Sequence, residues 1–565
     1  MMGMTTGDDA AQRKARGAFF TPAPVARFLF DWAVRSPGDD VLEPSCGEAV
    51  FLHQARPGHT GRLTGVELHT GSARRAQRSL RDAGIPATVG VRNFFLHNEF
   101  DAYDAVVGNP PYIRYQDFTG ADRARARAAA LRAGVSLPNL ASSWAAFTVH
   151  AALQLRSGGR LALVLPAELL TVNYAAGVRQ FLMDRFGAVG LVLFEQRVFP
   201  GVLEEVVLLL ADGYRGDGNV GGAGPADHAG RAGPADHAGG AGHMDLWQVR
   251  DADGLAQLSE SRRWTPPGGG AKWSAGLLST AGRAALEDAT GTGFTPLQSW
   301  GDTTLGMVTG NNRFFALSPQ RVDALGLTDD DVIDLSPPGS RHLRGLSLTA
   351  RGLRDLGDAG AASHLFRPAG EPSAAARRYI RAGEDLDVHH AYKCQVRRPW
   401  WRVPHLRPAD LLLTYMNADT PRLCSNRARA HHLNSVHGVY LRDGVRTLGL
   451  DLLPLAALNS VTLLGAETVG RAYGGGLLKI EPREADALPV PSPPLVAAHA
   501  AALRALRPRV TALLRTGRLL DAVTCVDAVL LTDGLGLATD QLAALRSDHA
   551  ALTARRVARG RAAGG

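Results

Sequence analysis

Residues 104–112 read DAVVGNPPY, and this stretch marks the end of a predicted strand. The five residues 104–108 have the apolar, β-branched composition of a buried strand. Two consecutive prolines cannot continue a helix or a central strand, so the chain must stop there. The sequence therefore predicts a strand that ends rigidly beside one amide, Asn109, and one aromatic ring, Tyr112.

Strand-like and helix-like segments alternate on both sides of this stretch, from residue 39 to residue 213. The strand candidates are DDVLEP, RLTGVEL, ATVGVRNFF, GRLALVLPAELL, AVGLVLFEQRVF and EEVVLLLADG. AVFLHQA and HTGSARRAQRSLRDAG have helical spacing between them. Strands separated by helices of this length predict an α/β fold, a Rossmann-like, doubly wound parallel sheet.

The composition divides the chain of 565 residues into four segments. Residues 1–215 form the predicted α/β domain. Residues 216–243 are rich in Gly, Ala and Pro, contain the direct repeat AGPADHAG, and predict a flexible linker or loop. Residues 244–491 predict a mixed α+β domain, and residues 492–565 are rich in Ala, Leu and Arg and predict a helical C-terminal subdomain.

Charge and cysteine content narrow the class of protein. The formal net charge of +8 suits a polyanionic partner. None of the four cysteines forms a C-x-x-C pair, so we expect neither a metal site nor a disulfide framework. No apolar run approaches the roughly 20 residues that span a bilayer. We therefore expect a cytoplasmic protein without a membrane partner.

Three predicted strand ends carry residues suited to a nucleoside. The first is a tight turn made of Glu43, Pro44, Ser45, Cys46 and Gly47. It has one glycine and lacks the G-x-G-x-x-G phosphate cradle, which favours a nucleoside without pyrophosphate.

The other two strand ends supply an acid and a group of rings. Glu67 follows Gly47 by 20 residues, the usual offset of an acid that accepts hydrogen bonds from ribose hydroxyls. Asn93 and Phe94 offer an amide and a ring for a base. Because ligands of open parallel sheets bind beyond the carboxyl ends of the strands, the three ends predict one pocket, which S-adenosylmethionine fits.

The motif Asn109-Pro110-Pro111-Tyr112 suits an exocyclic amine. The lone pair of such an amine is delocalised into its ring, so a catalyst must favour the tetrahedral nitrogen of the transition state. Acceptors aimed at the two N–H bonds do this, and Asn109 Oδ1 and the Pro110 carbonyl are candidates. Tyr112 supplies a face for stacking. The alternative is a rigid loop that only ends a strand.

In the order of these motifs the chain resembles the gamma class of adenine-N6 DNA methyltransferases, the Taq-type modification enzymes. GAFFTP at residues 17–22, VLEPSCGEAVFL, GVELH, NPPY, NLASSWAAF and VFPG carry the resemblance. It implies cofactor contacts by Thr21, Glu43, Ser45, Glu67, Phe94 and Phe147. It also implies that Asn109, Pro110, Tyr112 and Phe199 surround a flipped adenine. The family usually has Asp where this chain has Asn93, which puts the affinity for the cofactor in doubt.

The C-terminal half is similar to the target-recognition region of the same family. The similar phrases are GMVTGNNRFF, YKCQVRRPWWRVP, NSVHGVY and RAYGGGLLKIEPRE. They supply candidate contacts to double-stranded DNA, namely Asn311, Asn312, Arg313, Arg397, Arg398, Trp400, Trp401 and Arg402. The alternative for the Arg and Trp residues is ordinary core packing.

The resemblance implies methylation of adenine in duplex DNA by a monomer, with a cognate restriction endonuclease as a genetic rather than physical partner. It also suggests a palindromic target with a TCGA core. No cysteine follows a proline, which disfavours C5-cytosine methylation, and no acid stands two residues before a lysine, as the common nuclease core requires. N4-cytosine methylation stays open, because those enzymes use a similar motif that usually opens with Ser. The alternative function is a catalytically weak or dead DNA-binding scaffold of a phage-defence system.

Overall fold

The computed structural model describes residues 21–196, 198–199, 206–216, 240–258, 260–268, 270–473 and 475–561. The chain divides into two compact units, Met1–Gly276 and Leu277–Gly565. Most of the predicted linker 216–243, and the start of the motif at 17–22, lie outside the described residues.

The first unit is built on a nine-stranded sheet. Its strands are β1 Val41–Pro44, β2 Leu63–Glu67, β3 Ala87–Val91, β4 Tyr103–Gly108, β5 Leu155–Pro166, β6 Phe186–Phe194, β7 Val206–Tyr214, β8 Met244–Val249 and β9 Arg262–Trp264. Their order across the sheet is β3-β2-β1-β4-β5-β7-β6-β8-β9. Strands β1 to β5 pair in parallel, which confirms the predicted α/β class.

Two strands of this sheet run antiparallel to their neighbours, whereas the sequence predicts a parallel sheet. Strand β7 lies between β5 and β6 and is antiparallel to both, and β9 is antiparallel to β8. The link from β6 to β7 has 11 residues, 195–205, fewer than the dozen or more that a parallel crossover needs.

Helices connect these strands. They are α1 Ala23–Ala33, α2 Thr70–Asp82, α3 Gly120–Arg132, α4 Ser143–Ala152, α5 Glu168–Thr171 and α6 Ala176–Arg185. The helix predicted from AVFLHQA is wrong, because only the 3-10 turn Leu52–Gln54 forms there. Ser45, Gly47 and Ala49 precede it with φ of 54°, 56° and 59°, and a right-handed helix cannot pass through such residues.

The carboxyl ends of β1 to β4 meet at one edge of the sheet. In the register, Val41 pairs with Ala105 and with Leu63, so the ends of β1, β2 and β4 stand side by side. Gly108 closes β4 directly against Pro44, because a Cβ on Gly108 would lie 3.3 Å from Pro44 Cδ. The residues that follow these strands are thereby brought together.

The first unit extends beyond the predicted boundary at residue 215. Strand β8 pairs in parallel with β6, so residues from 244 onward belong to the first sheet rather than to the second domain. The second unit begins at Leu277.

The second unit combines small sheets with many helices. Its strands are β10 Phe294–Pro296, β11 Gly301–Leu305, β12 Ala316–Leu317, β13 Val332–Asp334, β14 Ser347–Leu348, β15 His364–Phe366, β16 Leu411–Thr414, β17 Met416–Asn417, β18 Leu423–Asn426, β19 Val436–Leu441, β20 Arg471–Tyr473, β21 Leu477–Lys479 and β22 Pro489–Pro491. The largest of its sheets has the order β11-β19-β16-β18-β14. The mixed α+β architecture agrees with the prediction.

The helices of the second unit include the predicted C-terminal set. They are α7 Thr280–Thr292, α8 Asn312–Phe315, α9 Pro319–Leu325, α10 Ala350–Asp358, α11 Ala374–Asp385, α12 Tyr392–Gln395, α13 Arg446–Ala456, α14 Ser460–Val469, α15 Pro482–Asp486, α16 Pro493–Ala498, α17 Ala500–Arg515, α18 Leu519–Asp527 and α19 Thr539–Arg561. Leu503, Val526 and Leu545 of the tail share one buried core with Trp300 and Leu411. The tail is therefore helical, as predicted, and packs as part of this unit.

Among the described residues, no single helix has the length and apolar composition needed to cross a membrane, although the bent pair Asp443–Ala456 and Ser460–Val469 passes that test jointly.

Candidate active site

A buried carboxyl group stabilises the turn after β1 through hydrogen bonds to backbone amides. Glu43 is 2% exposed, and its carboxyl accepts hydrogen bonds from the Leu52 amide at 3.0 Å and the Phe51 amide at 3.5 Å. Burial raises the pKa of Glu43 to about 8, against two backbone hydrogen bonds that lower it. Glu43 therefore holds the turn, while Ser45 and Gly47 above it reach solvent.

Glu67 joins the ends of β1 and β2. Its Oε2 accepts from the Gly47 amide at 2.9 Å and its Oε1 accepts from the His69 amide at 2.8 Å. A carboxylate has about four acceptor positions, so Glu67 can also accept from a diol. The turn and the acid predicted to serve one nucleoside are thus in direct contact.

Asn93 follows β3 and caps the next 3-10 turn. Its Oδ1 accepts from the Phe95 amide at 3.0 Å, and its Nδ2 donates to Asp122 Oδ1 at 3.0 Å. Phe94 and Phe147, predicted to lie near one adenine, stack on each other with ring centroids 4.8 Å apart. The structure therefore brings these three predicted residues together at the end of β3.

Asn109 follows β4 and contacts the N-terminal motif. Its Nδ2 donates to Thr21 Oγ1 at 3.2 Å, a contact that spans 88 positions of sequence. Tyr112 is 8% exposed, and its hydroxyl donates to the Val164 carbonyl of β5 at 3.0 Å. The amide and the ring of the motif are both held in place by other elements of the first unit.

Three residues that sequence analysis missed support this edge. Ser143 Oγ accepts from the Ile113 amide at 2.9 Å and donates to the Pro111 carbonyl, which ties the motif to the start of α4. His150 Nε2 lies 3.0 Å from the carbonyls of Phe94 and His97. Burial lowers the pKa of His150 to about 4, so the ring is neutral at pH 7 and can donate through Nε2–H. The third residue is Asp122, which accepts the hydrogen bond from Asn93 Nδ2.

Some local signal for these residues exists. Ser143 is the first residue of an apolar helix and follows the N-cap residue Ser142, and serine is a residue type expected where a helix begins. No pattern in the sequence pairs Asp122 with Asn93, because they lie 29 residues apart.

Phe199 is 2% exposed and lies beyond the end of β6. Its neighbours Arg197 and Pro200 are outside the described residues, so the predicted role of Phe199 at the target base stays a prediction.

In the second unit, the predicted DNA-contacting residues separate into two groups. Arg397 is 9% exposed, and its guanidinium donates to the carbonyls of Thr309, at 2.8 Å, and Val308. Trp401 is equally buried, and Trp400 packs against Phe314 with ring centroids 5.6 Å apart. For these three residues the geometry favours the alternative of core packing.

The remaining predicted contacts are mostly on the surface. Asn312, Arg313, Arg398 and Arg402 are exposed. Asn311 is half-buried and caps α8, since its Oδ1 accepts from the Phe314 amide at 3.2 Å.

One group in the described part of the second unit has the composition of a metal site, although the sequence predicts none. Potential ligand atoms of Asp387, His389 and His390 lie within 4.8 Å of one another. Asp387 and His390 are exposed and within 3.3 Å of each other. An exposed ion pair accounts for this arrangement equally well.

Comparison with known proteins places both units. Residues 7–215 match the N-6 DNA methylase family, and residues 270–531 match the C-terminal domain of type II methyltransferase M.Eco57I. Type II methyltransferase M.XamI of Xanthomonas campestris pv. amaranthicola is 26% identical over 499 residues, which cover 84% of this chain and 85% of the relative.

Two further similar proteins are also type II methyltransferases. Type II methyltransferase M.AccI of Acinetobacter calcoaceticus is 20% identical over 481 residues, covering 84% of each chain. Type II methyltransferase M.TthHB8I of Thermus thermophilus is 31% identical over 217 residues, covering 36% of this chain and 47% of the relative.

The first unit therefore contains an N-6 DNA methylase domain with its motifs at the carboxyl edge of the sheet. Together, the two family matches and these relatives support an adenine-N6 DNA methyltransferase of a type II restriction–modification system, the enzyme class that the sequence motifs indicate.

Proposed function

We propose that this methyltransferase acts as a gamma-class enzyme and moves a methyl group from S-adenosylmethionine to N6 of an adenine flipped out of duplex DNA. One observation carries the proposal. The motif Asn109–Tyr112 begins where Gly108 packs against Pro44, so an amine-binding motif adjoins a turn suited to a nucleoside. A methyl donor and an acceptor amine bound at these two places would be neighbours.

The residues around the turn fit S-adenosylmethionine. Gly47 has a φ of 56°, and no atom of the residues that the structure describes lies within 4 Å of a Cβ added there, so the backbone is open to a ligand. Glu67 is suited to the ribose hydroxyls, and Phe94 and Phe147 are suited to the flat face of the adenine. When bound, the cofactor supplies an electrophilic methyl group on a sulfonium.

The protein's own contribution is to prepare the amine. The Asn109 side-chain oxygen and the Pro110 carbonyl accept hydrogen bonds from the two N–H groups of the target amine. These two hydrogen bonds favour a tetrahedral nitrogen. The hydrogen bond from Asn109 Nδ2 to Thr21 orients the amide for this role. Tyr112 and Phe199 are the aromatic residues proposed to stack on the flipped base.

Base flipping requires that the duplex be gripped while one nucleotide leaves the stack. We assign this task to exposed residues of the second unit, Asn312, Arg313, Arg398 and Arg402. The guanidinium groups of the three arginines and the amide of Asn312 are suited to phosphate contacts, which position the protein without reading sequence. The enzyme would act as a monomer and protect host DNA from a cognate restriction endonuclease.

Methyl transfer from labelled S-adenosylmethionine to unmethylated DNA tests the proposal. We expect label in N6-methyladenine after digestion to nucleosides, and mapping the modified positions gives the target sequence. Label in N4-methylcytosine would refute the assignment of the base. DNA binding without any incorporation would instead favour the alternative of a catalytically dead scaffold.

A further inference from the structure

We propose that Asn93 and Asp122 act as one hydrogen-bonded acceptor pair for the 6-amino group of the cofactor's adenine, with Asp122 supplying the carboxylate. Asn93 Nδ2 donates to Asp122 Oδ1 across 3.0 Å. This inference rests on the proposed use of S-adenosylmethionine. It assigns a binding residue that the sequence motifs do not indicate.

The order of the strands locates the adenine. Across the sheet, β4 is followed by β1, β2 and β3. The methyl group must face Asn109 after β4, and Glu67 at the end of β2 is suited to the ribose. The base therefore lies on the far side of the ribose, at the end of β3, where Asn93 stands.

The pair is built from two elements that pack at this strand end. Helix α3 carries Asp122 and contacts both the 3-10 turn Phe94–Leu96 and helix α4. Helix α4 carries Phe147, whose ring stacks on Phe94. A carboxylate and two aromatic rings consequently occupy the same place, which suits a flat base with one amino group.

The hydrogen bonds of the pair leave an acceptor available. Asp122 Oδ1 accepts from Asn93 Nδ2 and from Arg125, both at 3.0 Å. Among the residues that the structure describes, Asp122 Oδ2 accepts no hydrogen bond, and the side chain is 51% exposed. An amino group of a ligand can therefore reach the carboxylate.

This geometry also accounts for the amide at position 93. A carboxylate there would stand about 3 Å from that of Asp122, and like charges at such a distance cannot both ionise without cost. The site therefore holds its negative charge on one partner only. Exchanging the two residues moves the charge to position 93 and keeps the pair.

Calorimetry tests the inference by measuring, for each variant, the affinity for S-adenosylhomocysteine and the affinity for its 6-oxo analogue, S-inosylhomocysteine. The variants are Asp122→Asn, Asn93→Asp and the double exchange. Asp117→Asn is the matched control, because Asp117 is an exposed acid in the loop before α3. The ratio of the two affinities within one variant is independent of the folded fraction, so misfolding cannot imitate the result.

We expect Asp122→Asn to weaken the binding of S-adenosylhomocysteine by roughly tenfold, the usual loss of a hydrogen bond to a charged group. Asn93→Asp should also weaken it, because it places two carboxylates side by side. The ratio of the affinity for S-adenosylhomocysteine to that for the 6-oxo analogue should fall in both single variants. The double exchange should restore this ratio. An unchanged preference in Asp122→Asn would overturn the inference and leave the proposed function intact. A wild-type protein that binds neither S-adenosylhomocysteine nor S-adenosylmethionine would overturn the proposed function itself.

Discussion

Replacing the buried Glu43 by glutamine should change how the stability of the protein depends on pH. Burial raises the pKa of Glu43 from 4.5 to about 8 in the folded chain. The folded state therefore keeps a proton on Glu43 that the unfolded state releases above pH 4.5. Stability falls wherever the unfolded state binds fewer protons, so this group lowers the free energy of unfolding as the pH rises from 4.5 to 8.

The size of the effect follows from the same pKa values. One pKa unit corresponds to about 1.4 kcal/mol, so the contribution of Glu43 between pH 5 and pH 8 is on the order of 3 kcal/mol. Glutamine cannot ionise, yet its side-chain oxygen can still accept from the Leu52 amide, now 3.0 Å from the Glu43 carboxyl. The Glu43→Gln variant should lack this contribution and keep the fold.

Urea unfolding of the full chain at several pH values, followed by tryptophan fluorescence, measures the difference. We expect the stability of Glu43→Gln, relative to the wild type, to rise by about 3 kcal/mol from pH 5 to pH 8. Glu48→Gln in the same turn is the control, because Glu48 is exposed and its replacement should leave the pH dependence as it is. A constant difference between wild type and Glu43→Gln over this range would refute the reasoning.

Other predictions concern the motif and the second unit. Asn109→Ala should lower the rate of methyl transfer at least about a hundredfold and leave DNA binding intact. The control Asn139→Ala, on an exposed loop, should leave the rate unchanged. Near-normal activity of Asn109→Ala would show that the amide is not used. Ser143→Ala removes the bridge between Ile113 and Pro111 and should slow transfer more than it weakens cofactor binding, as read from kcat and the cofactor Kd. Arg397→Ala should cost about 2 kcal/mol in the free energy of unfolding, because carbonyls lose a charged donor. Arg398→Ala should keep that stability and reduce the salt slope of DNA binding by about 1, and equal salt slopes would exclude a phosphate contact.

The fold of the first unit was predictable because it depends on local patterns. Each strand from β1 to β7 contains an apolar run that ends at a turn-forming or polar residue, although β5 begins at Leu155, ahead of its run. The boundary of the unit was not predictable, because β8 pairs with β6 across a segment without structural signals. The positive φ values before Leu52 also leave no trace in the helical spacing of AVFLHQA.

The candidate site was predictable to the extent that it depends on strand order. Parallel strands place their carboxyl ends at one edge whatever their loops do, so residues that follow β1, β2, β3 and β4 must lie near one another. The contacts between those residues depend on side-chain packing instead. The hydrogen bond from Asn109 to Thr21 joins a loop to an N-terminal segment, and neither stretch alone indicates it.

The same distinction between local pattern and side-chain packing applies to Arg397, which the sequence predicts as a DNA contact and the structure shows bonded to backbone carbonyls. Arg and Trp are typical both of a nucleic-acid surface and of a core in which a guanidinium holds backbone carbonyls. Composition cannot separate the two, because the deciding quantity is whether carbonyls such as that of Thr309 face the guanidinium. Arg398 is the next residue and is exposed, so adjacent arginines have different surroundings. Removing each in turn separates stability from DNA affinity, and a loss of DNA affinity in Arg397→Ala at unchanged stability would return Arg397 to the DNA-contacting group.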